Sequence, residues 1–203
     1  MGKIFFSKEQ KTIFDQVTKS TYLKSNFYFT GGTALSYFYL QHRYSEDEVK
    51  LWAKKFDFTF QHQFKEVVNI FTINFKNKIT LKVDFGYYPH RRVGKGISYQ
   101  GISIDSQLDI AINKLASVNQ RSQVKDFVDL YFLLDKFLIW DLIEDVKVKF
   151  RMELEPWILA SDLEYYIDQF KYLPKMIKPL TLNGLKKFFR NQAIILGRKA
   201  VES

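Results

Sequence analysis

The sequence contains no cysteine and only three histidines among its 203 residues. It can therefore form no disulfide, no thiolate zinc site and no cysteine nucleophile. The histidines do not have the spacing of a metal-binding motif. No apolar run approaches the roughly 18 residues that a membrane-spanning helix needs, and residues 1–10 lack the apolar core of a secretion signal. We expect a cytoplasmic protein with no membrane partner.

The composition is that of a folded, basic protein. Hydrophobic residues make up 46% of the chain and aromatic residues 17%, which is enough for a buried core. There are 31 Lys and Arg against 22 Asp and Glu, and the net charge is +9. Such a charge suits a polyanionic partner such as a nucleic acid, but it also suits a basic protein without one.

The first half of the chain mixes helical and strand patterns, with no repeat or linker. The predicted elements are, in order, a helix over 7–24, a strand over 26–30, a helix over 33–42, a strand over 48–52 and a hairpin over 73–85. The hairpin is the clearest of these, because Ile79, Leu81 and Val83 alternate with polar residues and Asn77 lies in the turn.

The second half is predicted to be helical. A strand ends at Asp105 or Ser106, either of which can cap the next helix. Apolar residues at helical spacing predict helices over 107–117 and 124–137, and helices continue from residue 142 with interruptions at three prolines. The order predicts an α+β fold, with a mixed β-sheet core, flanking helices and a C-terminal helical extension. We divide it into 1–105 and 106–203.

A basic loop over residues 87–96, YYPHRRVGKG, separates the hairpin from the following strand. Its cationic side chains suit a nucleic-acid backbone or a triphosphate. A solvated loop without a partner explains the same residues, and the sequence leaves both interpretations open.

Two acids near strand ends, Asp47 and Asp84, are candidate metal ligands. Asp84 lies on the polar face of its strand with Thr80 and Lys82, away from the apolar face. Carboxylates on neighbouring strands can hold a divalent cation, because Mg²⁺ prefers such oxygens. A solvated strand-end residue is the alternative for Asp84.

Gly31, Gly32 and Thr33 open a predicted helix. Backbone N–H groups at a helix N-terminus favour anions, and glycine permits both a tight turn and the close approach of a phosphate. A plain strand-to-helix turn is the alternative. An anion-binding turn, a helix and then carboxylates would together make a nucleotide and metal site.

Three motifs resemble those of the AbiEii/AbiGii-type nucleotidyltransferase-like toxins, which belong to the DNA polymerase β-like nucleotidyltransferase superfamily. They are FTGGTALSYFYLQHRYSED, LKVDFGYYP and ISIDSQLDIAINKLASVNQRSQVKDFVDLYFLL. They occur in the order expected for the family and extend over most of residues 27–134. The resemblance implies a nucleotidyltransferase-like fold and a site at the glycine turn.

The resemblance also implies roles for individual residues. The nucleotide-binding residues would be Gly31, Gly32, Thr33 and Ser45. We add Arg43 because a cation is favoured at the C-terminus of its predicted helix, where it would bridge the two halves of the site. Asp47 and Asp84 would bind catalytic Mg²⁺.

Two further residues complete the implied catalytic set. Lys114 would contact the nucleotide phosphates and Asp126 would help to order the site. Lys114 lies off the apolar stripe of its helix, so we expect its side chain to leave the core. Asp126 and Asp129 are three residues apart and can share one side of their helix.

One position departs from the family pattern. An Asp-x-Asp pair is expected on the first acidic strand, but the sequence there reads Asp47, Glu48, Val49. Because strand side chains alternate, Val49 occupies the position of the second ligand. Glu48 could replace it through a shifted strand start or a bulge, and Asp57 could do so after an insertion.

Two functional hypotheses follow. In the first, the chain is the toxin of a bacterial toxin–antitoxin or phage-defence pair, and it transfers a nucleotide from an NTP to an acceptor such as the 3′ end of a tRNA. In the second, which Val49 favours, it is a degenerate member that binds nucleotide, RNA or antitoxin without turnover.

Overall fold

The computed structural model describes residues 7–35, 58–66, 68–121 and 123–202. Over these residues the chain forms two compact units. The described part of the first comprises 7–29, 58–66, 68–89 and Ile97–Ile104, and that of the second comprises 30–35, His90–Gly96, 105–121 and 123–202. The predicted strand over 48–52 lies outside the described residues, as does most of the predicted helix over 33–42.

The first unit contains helices and strands. Its described elements are α1 (Lys8–Val17), α2 (Thr21–Asn26), β1 (Tyr28–Phe29), β2 (Phe58–Lys65), β3 (Val68–Phe75), β4 (Thr80–Gly86), β5 (Ile97–Tyr99) and β6 (Ile102–Ile104). The described elements of the second unit are all helices: α3 (Gly31–Ala34), α4 (Gln107–Gln120), α5 (Val124–Leu133), α6 (Ile139–Phe150), α7 (Pro156–Gln169) and α8 (Leu182–Glu202).

The strands of the first unit form two sheets of three strands each within the described residues. Strands β2, β3 and β4 form an antiparallel meander, in which Phe71 lies opposite both His62 and Val83. In the other sheet, β6 pairs in parallel with β1 and antiparallel with β5. The second sheet is mixed, as predicted, but the predicted hairpin belongs to the separate antiparallel sheet.

The core of the first unit lies between α1 and the meander. Ile13 of α1 is fully buried in one cluster with Phe58, Ile73, Leu81 and Val83. These four strand residues share one face of the sheet, since side chains alternate along each strand and opposite residues in the register face the same way. The other face carries mostly polar side chains, with Ile70 opposite Asp84, and this pattern places Asp84 outside the core.

Two elements differ from the prediction in the first unit. The helix predicted over 7–24 is interrupted, because Ser20 adopts an extended conformation and caps α2 by accepting a hydrogen bond from Leu23 N at 3.2 Å. Strand β2 was not predicted, although Phe58, Phe60 and Phe64 alternate with polar residues along it.

The second unit packs around the ring of Phe127. This side chain is fully buried and makes edge-to-face contacts with Phe170 and Phe189, whose centroids lie 4.9 and 5.1 Å away. Such aromatic pairs contribute about 0.5–1.5 kcal/mol each beyond area burial. Helix α8 buries a stripe formed by Leu185, Phe189, Ala193 and Leu196.

Helix boundaries in the second unit follow local chemistry. Ser106 caps α4 by accepting a hydrogen bond from Asp109 N at 2.9 Å, as predicted, and the helix runs to Gln120 rather than to residue 117. The helices are interrupted before Pro156, as predicted, and this proline begins α7, because proline lacks the N–H that the first turn leaves unused. Among the described residues, no helix is both long enough and apolar enough to cross a membrane.

Candidate functional site

At the start of α3, the glycine turn adopts a backbone conformation that favours glycine. Gly31 has φ +84°, a value that residues other than glycine rarely adopt. Among the described residues, no atom would lie within 4 Å of a Cβ added there, so they leave the space beside the turn open. Thr30 precedes the turn and donates its hydroxyl hydrogen bond to Asp105 Oδ2 at 2.7 Å. Helix α3 packs against α4 and α5.

Asp84 lies on β4, on the polar face of the meander. Its side chain is 47% exposed, and Lys82 Nζ approaches Asp84 Oδ2 at 3.3 Å. Lys82, Asp84 and Thr80 are all exposed, as the alternation along the strand predicts. The carboxylate is therefore accessible to a cation from solvent, with one lysine as its neighbour.

Lys114 is buried, which corrects the expectation that its side chain leaves the core. Its ammonium group lies 2.6 Å from Asp126 Oδ1 and 2.7 Å from Asp129 Oδ2. The apolar stripe of α4 does not reveal this burial, because it is the two acids of α5 that allow a charged lysine to enter the interior. The prediction that Asp126 and Asp129 share one helix side is confirmed by this shared contact.

Charge compensation by the two carboxylates keeps Lys114 protonated. Burial acts to lower the pKa of Lys114, but the nearby Asp129 and Asp126 carboxylates outweigh it and raise that pKa above its ordinary value of 10.5. Lys114 is thus a fixed cation at neutral pH. Arg121 donates to Asp126 Oδ2 at 2.9 Å from a partly exposed position, so the cluster continues to the surface.

The predicted site residues are distributed unevenly over the described structure. Lys114 and Asp126 are in direct contact. Gly31 and Gly32 belong to the second unit with them, and Asp84 belongs to the first. Thr33 lies within α3. The remaining predicted residues, Arg43, Ser45 and Asp47, lie outside the described residues, as do Glu48, Val49 and Asp57.

The described residues include one of the two predicted metal ligands. Asp84 offers an exposed carboxylate, the type of ligand that Mg²⁺ prefers. Within the described ranges, no three His, Cys, Asp or Glu side chains come together in a way that could hold a metal ion. Asp84 stays a candidate ligand, and its predicted partner Asp47 lies outside the described residues.

A second buried cluster was missed by the sequence analysis. Asp109 is fully buried on α4, and its carboxylate accepts hydrogen bonds from Lys149 Nζ at 2.7 Å and Ser106 Oγ at 2.6 Å. The backbone N–H groups of Val93 and Gly94 also donate to it, both at 2.8 Å. The local signal was an aspartate three residues after a capping serine, but no local pattern identifies Lys149 as its partner.

Two buried aspartates of this cluster have opposite pKa shifts. Burial raises the pKa of Asp105 above its ordinary value of 3.8, and the hydrogen bond from Thr30 only partly offsets this. Burial also opposes ionisation of Asp109, but hydrogen bonds from Lys149, Ser106 and the loop backbone outweigh it and hold the pKa below 3.8. Asp109 is therefore a permanent anion at neutral pH.

Comparison with solved structures identifies the fold as nucleotidyltransferase-like. JHP933 from Helicobacter pylori matches 97% of this chain and 95% of its own with a TM-score of 0.55 at 18% identity. A second H. pylori protein, given a provisional assignment as a nucleotidyltransferase, matches 97% of this chain and 98% of its own with a TM-score of 0.54 at 17% identity. Both confirm the predicted fold class.

Sequence comparison identifies the family. The family model described as "Nucleotidyl transferase AbiEii toxin, Type IV TA system" matches residues 20–47, which include the glycine turn and Asp47. An uncharacterised protein of Aquifex aeolicus, aq_aa25, is 30% identical over 200 residues, which are 91% of this chain and 94% of that protein. The chain belongs to the AbiEii-type family of nucleotidyltransferase toxins of type IV toxin–antitoxin systems, as the motifs predicted.

Proposed function

We propose that the chain is a Mg²⁺-dependent nucleotidyltransferase that moves a nucleotide from an NTP to an RNA acceptor, the 3′ end of a tRNA. The observation that carries the proposal is the match over residues 20–47, which joins a glycine turn to an acid in the order the family uses. The open space beside Gly31 is consistent with a phosphate approaching the turn.

The proposed reaction makes one bond and breaks one. The acceptor's 3′-hydroxyl oxygen bonds to the α-phosphorus of the NTP, pyrophosphate leaves with the electrons of the broken P–O bond, and the hydroxyl proton passes to water. A bound Mg²⁺ would polarise the phosphate oxygens and stabilise the developing charge. In this proposal Asp47 and Asp84 hold the cation.

The nucleotide is held by backbone and side-chain groups. In the proposal these are Gly31, Gly32, Thr33, Arg43 and Ser45. The resemblance would have Lys114 contact the phosphates, but its ammonium group is buried between Asp126 and Asp129, whose carboxylates compensate its charge. In the proposal Lys114 therefore orders the helices that pack against α3 instead of touching the nucleotide. Asp126 and Asp129 keep the Lys114 ammonium in place through contacts of 2.6 and 2.7 Å.

The biological setting of the proposal follows the family. The enzyme acts in the cytoplasm as the toxin of a toxin–antitoxin or phage-defence pair, and a cognate antitoxin protein is its partner.

The second candidate function is binding without turnover. Val49 favours it, because an isopropyl group stands where the family pattern expects a second metal-binding carboxylate. Such a protein would bind nucleotide, RNA or antitoxin through the same residues. Its affinity for a second metal ion would be low, since valine offers no ligand atom.

One experiment separates the two functions. Purified protein is incubated with total tRNA, Mg²⁺ and each radiolabelled NTP in turn, with a chelator as control. The enzyme hypothesis predicts labelled tRNA in the wild type and no label with chelator. An inert wild type that gains Mg²⁺-dependent labelling through Val49→Asp identifies the degenerate binding protein instead.

A further inference from the structure

The loop His90–Gly96 carries positively charged side chains on a backbone that hydrogen bonds hold in place. Arg91, Arg92 and Lys95 are all exposed on it. Arg92 also lies within electrostatic reach of the buried Asp105, whose negative charge attracts it. Three cationic side chains within five residues suit a ligand with several neighbouring phosphates.

The middle of this loop is fixed by Asp109. The two carboxylate oxygens of Asp109 accept one hydrogen bond each from Val93 N and Gly94 N, at 2.8 Å. Bonds from consecutive backbone N–H groups to one carboxylate fix the orientation of the peptide between them. Arg92 and Lys95 are the residues that directly flank this pair.

The Asp109 carboxylate, which holds the loop, is in turn bonded to side chains of the helical framework. Lys149 of α6 bonds to Asp109 at 2.7 Å, with both side chains fully buried, and Ser106 bonds to it at 2.6 Å. At the start of the loop, the His90 ring stacks edge-on against Phe150 of α6 at 4.7 Å. The loop is therefore anchored at two points on the helical framework.

Close packing adds a third constraint. A Cβ atom on Gly94 would lie 2.4 Å from Ser106 Oγ and 2.9 Å from Ser106 Cβ. The loop backbone thus contacts the start of α4 so closely that only glycine fits. A loop with no role beyond connecting two elements does not require a buried ion pair, since such pairs seldom add net stability over apolar packing.

We propose that the His90–Gly96 loop binds the phosphate backbone of the RNA acceptor, and that Asp109 positions it for this contact. The inference rests on the proposed function, in which the acceptor is an RNA. A preordered loop favours binding because less conformational entropy is lost when the ligand arrives. The net charge of +9 favours a polyanion over an acidic peptide of few charges.

The test measures RNA binding without catalysis. A 5′-fluorescein-labelled tRNA is titrated with protein, without NTP or metal ion, at several KCl concentrations. The loop variant carries Arg91→Gln, Arg92→Gln and Lys95→Gln. A matched control removes the same charge from three other exposed residues of the second unit, through Lys171→Gln, Lys187→Gln and Arg198→Gln.

The loop variant should bind tRNA at least about tenfold more weakly than the wild type. The slope of its log affinity against log salt concentration should fall by the equivalent of roughly two to three phosphate contacts. The control should weaken binding far less at the same ionic strength. Equal losses in both variants overturn the inference, as does a wild type that binds no tRNA. An acidic peptide that binds the loop in place of tRNA overturns it too.

The positioning role of Asp109 is tested by combining variants. Asp109→Asn should weaken tRNA binding in the wild type but have no further effect in the loop variant, because both act through one element. A merely structural role would weaken both backgrounds alike. If Asp109→Asn fails to fold, as thermal melting would reveal, Ser106→Ala, which removes one hydrogen bond to the Asp109 carboxylate, takes its place in the same comparison.

The outcomes also separate this inference from the proposed function. A protein that binds tRNA through the loop but labels no acceptor retains the inference and refutes nucleotide transfer. A protein that labels tRNA equally well with and without the loop charges retains the enzyme and refutes the inference.

Discussion

Asp109 of α4 and Lys149 of α6 form an ion pair of 2.7 Å in which neither side chain is exposed to solvent. The Asp109 carboxylate also accepts hydrogen bonds from the Ser106 hydroxyl and from two backbone N–H groups of the loop His90–Gly96. The pair thus connects two helices to the basic loop. Its complete burial makes each charge dependent on the other, because an unpaired ion in the interior is strongly unfavourable.

Loss of the lysine should therefore destabilise the protein severely. Lys149→Met removes the charge partner of Asp109 and should lower the free energy of unfolding by about 3–5 kcal/mol. Urea denaturation followed by circular dichroism measures this change. Lys147→Met on the same helix is the control, since its ion pair with Glu153 is exposed on both sides and should contribute nothing measurable. Equal effects would contradict the burial of the pair.

The two buried aspartates should give opposite pH dependences of stability. The pKa of Asp109 is lowered in the folded protein, so its contribution is present above pH 3.8 and is lost as the pH falls through the folded-state pKa. The destabilisation caused by Asp109→Asn should therefore shrink in acid. Urea denaturation between about pH 2 and pH 7 measures it.

Asp105 should behave in the reverse manner. Its pKa is raised by burial, so the folded protein holds this proton more tightly than the unfolded chain does, and stability falls as the pH rises from 3.8 through the folded-state pKa. Asp105→Asn keeps an oxygen that can accept the hydrogen bond from the Thr30 hydroxyl. It removes the carboxyl group whose ionisation lowers the stability. The variant should gain stability relative to the wild type as the pH rises, and the same trend for both aspartates would contradict the assigned shifts.

The close contact of Gly94 with Ser106 predicts a steric effect. Gly94→Ala places a methyl group 2.4 Å from Ser106 Oγ, so the loop or the start of α4 must shift, at about 1–3 kcal/mol. Gly197→Ala in α8 is the control, because no atom of the described residues would lie within 4 Å of the added methyl group and alanine is the better helix former by about 1 kcal/mol. Thermal melting should show opposite changes, and a neutral Gly94→Ala would contradict this packing.

Local sequence patterns predicted those helices and strands that are determined by residues a few positions apart in the sequence. The alternation of Leu81 and Val83 gave the hairpin, and the serine before α4 gave its capped start, because each depends on residues a few positions away. Strand β2 had the same alternation and could have been predicted from Phe58, Phe60 and Phe64.

Long-range ion pairs could not be predicted in this way. Lys114 was expected at the surface because only apolar residues define a helical stripe, whereas its burial depends on two acids of the next helix. Asp109 and Lys149 are forty residues apart, and no periodicity relates them. The candidate nucleotide site came from the family resemblance rather than from residue patterns, and the roles of its residues stay predictions.

Transfer of label from a radioactive NTP to tRNA, compared between wild type and Asp84→Ala, tests the proposed enzyme most directly. The exposed Asp135 provides the control, Asp135→Ala, for the loss of one surface acid. Removal of a metal ligand should lower the rate by more than about a hundredfold, beyond what changes around such ligands produce. We predict labelled tRNA with wild type and Asp135→Ala, and none with Asp84→Ala. Equal labelling by all three proteins would contradict the assignment of Asp84, and no labelling with any NTP would contradict nucleotide transfer itself.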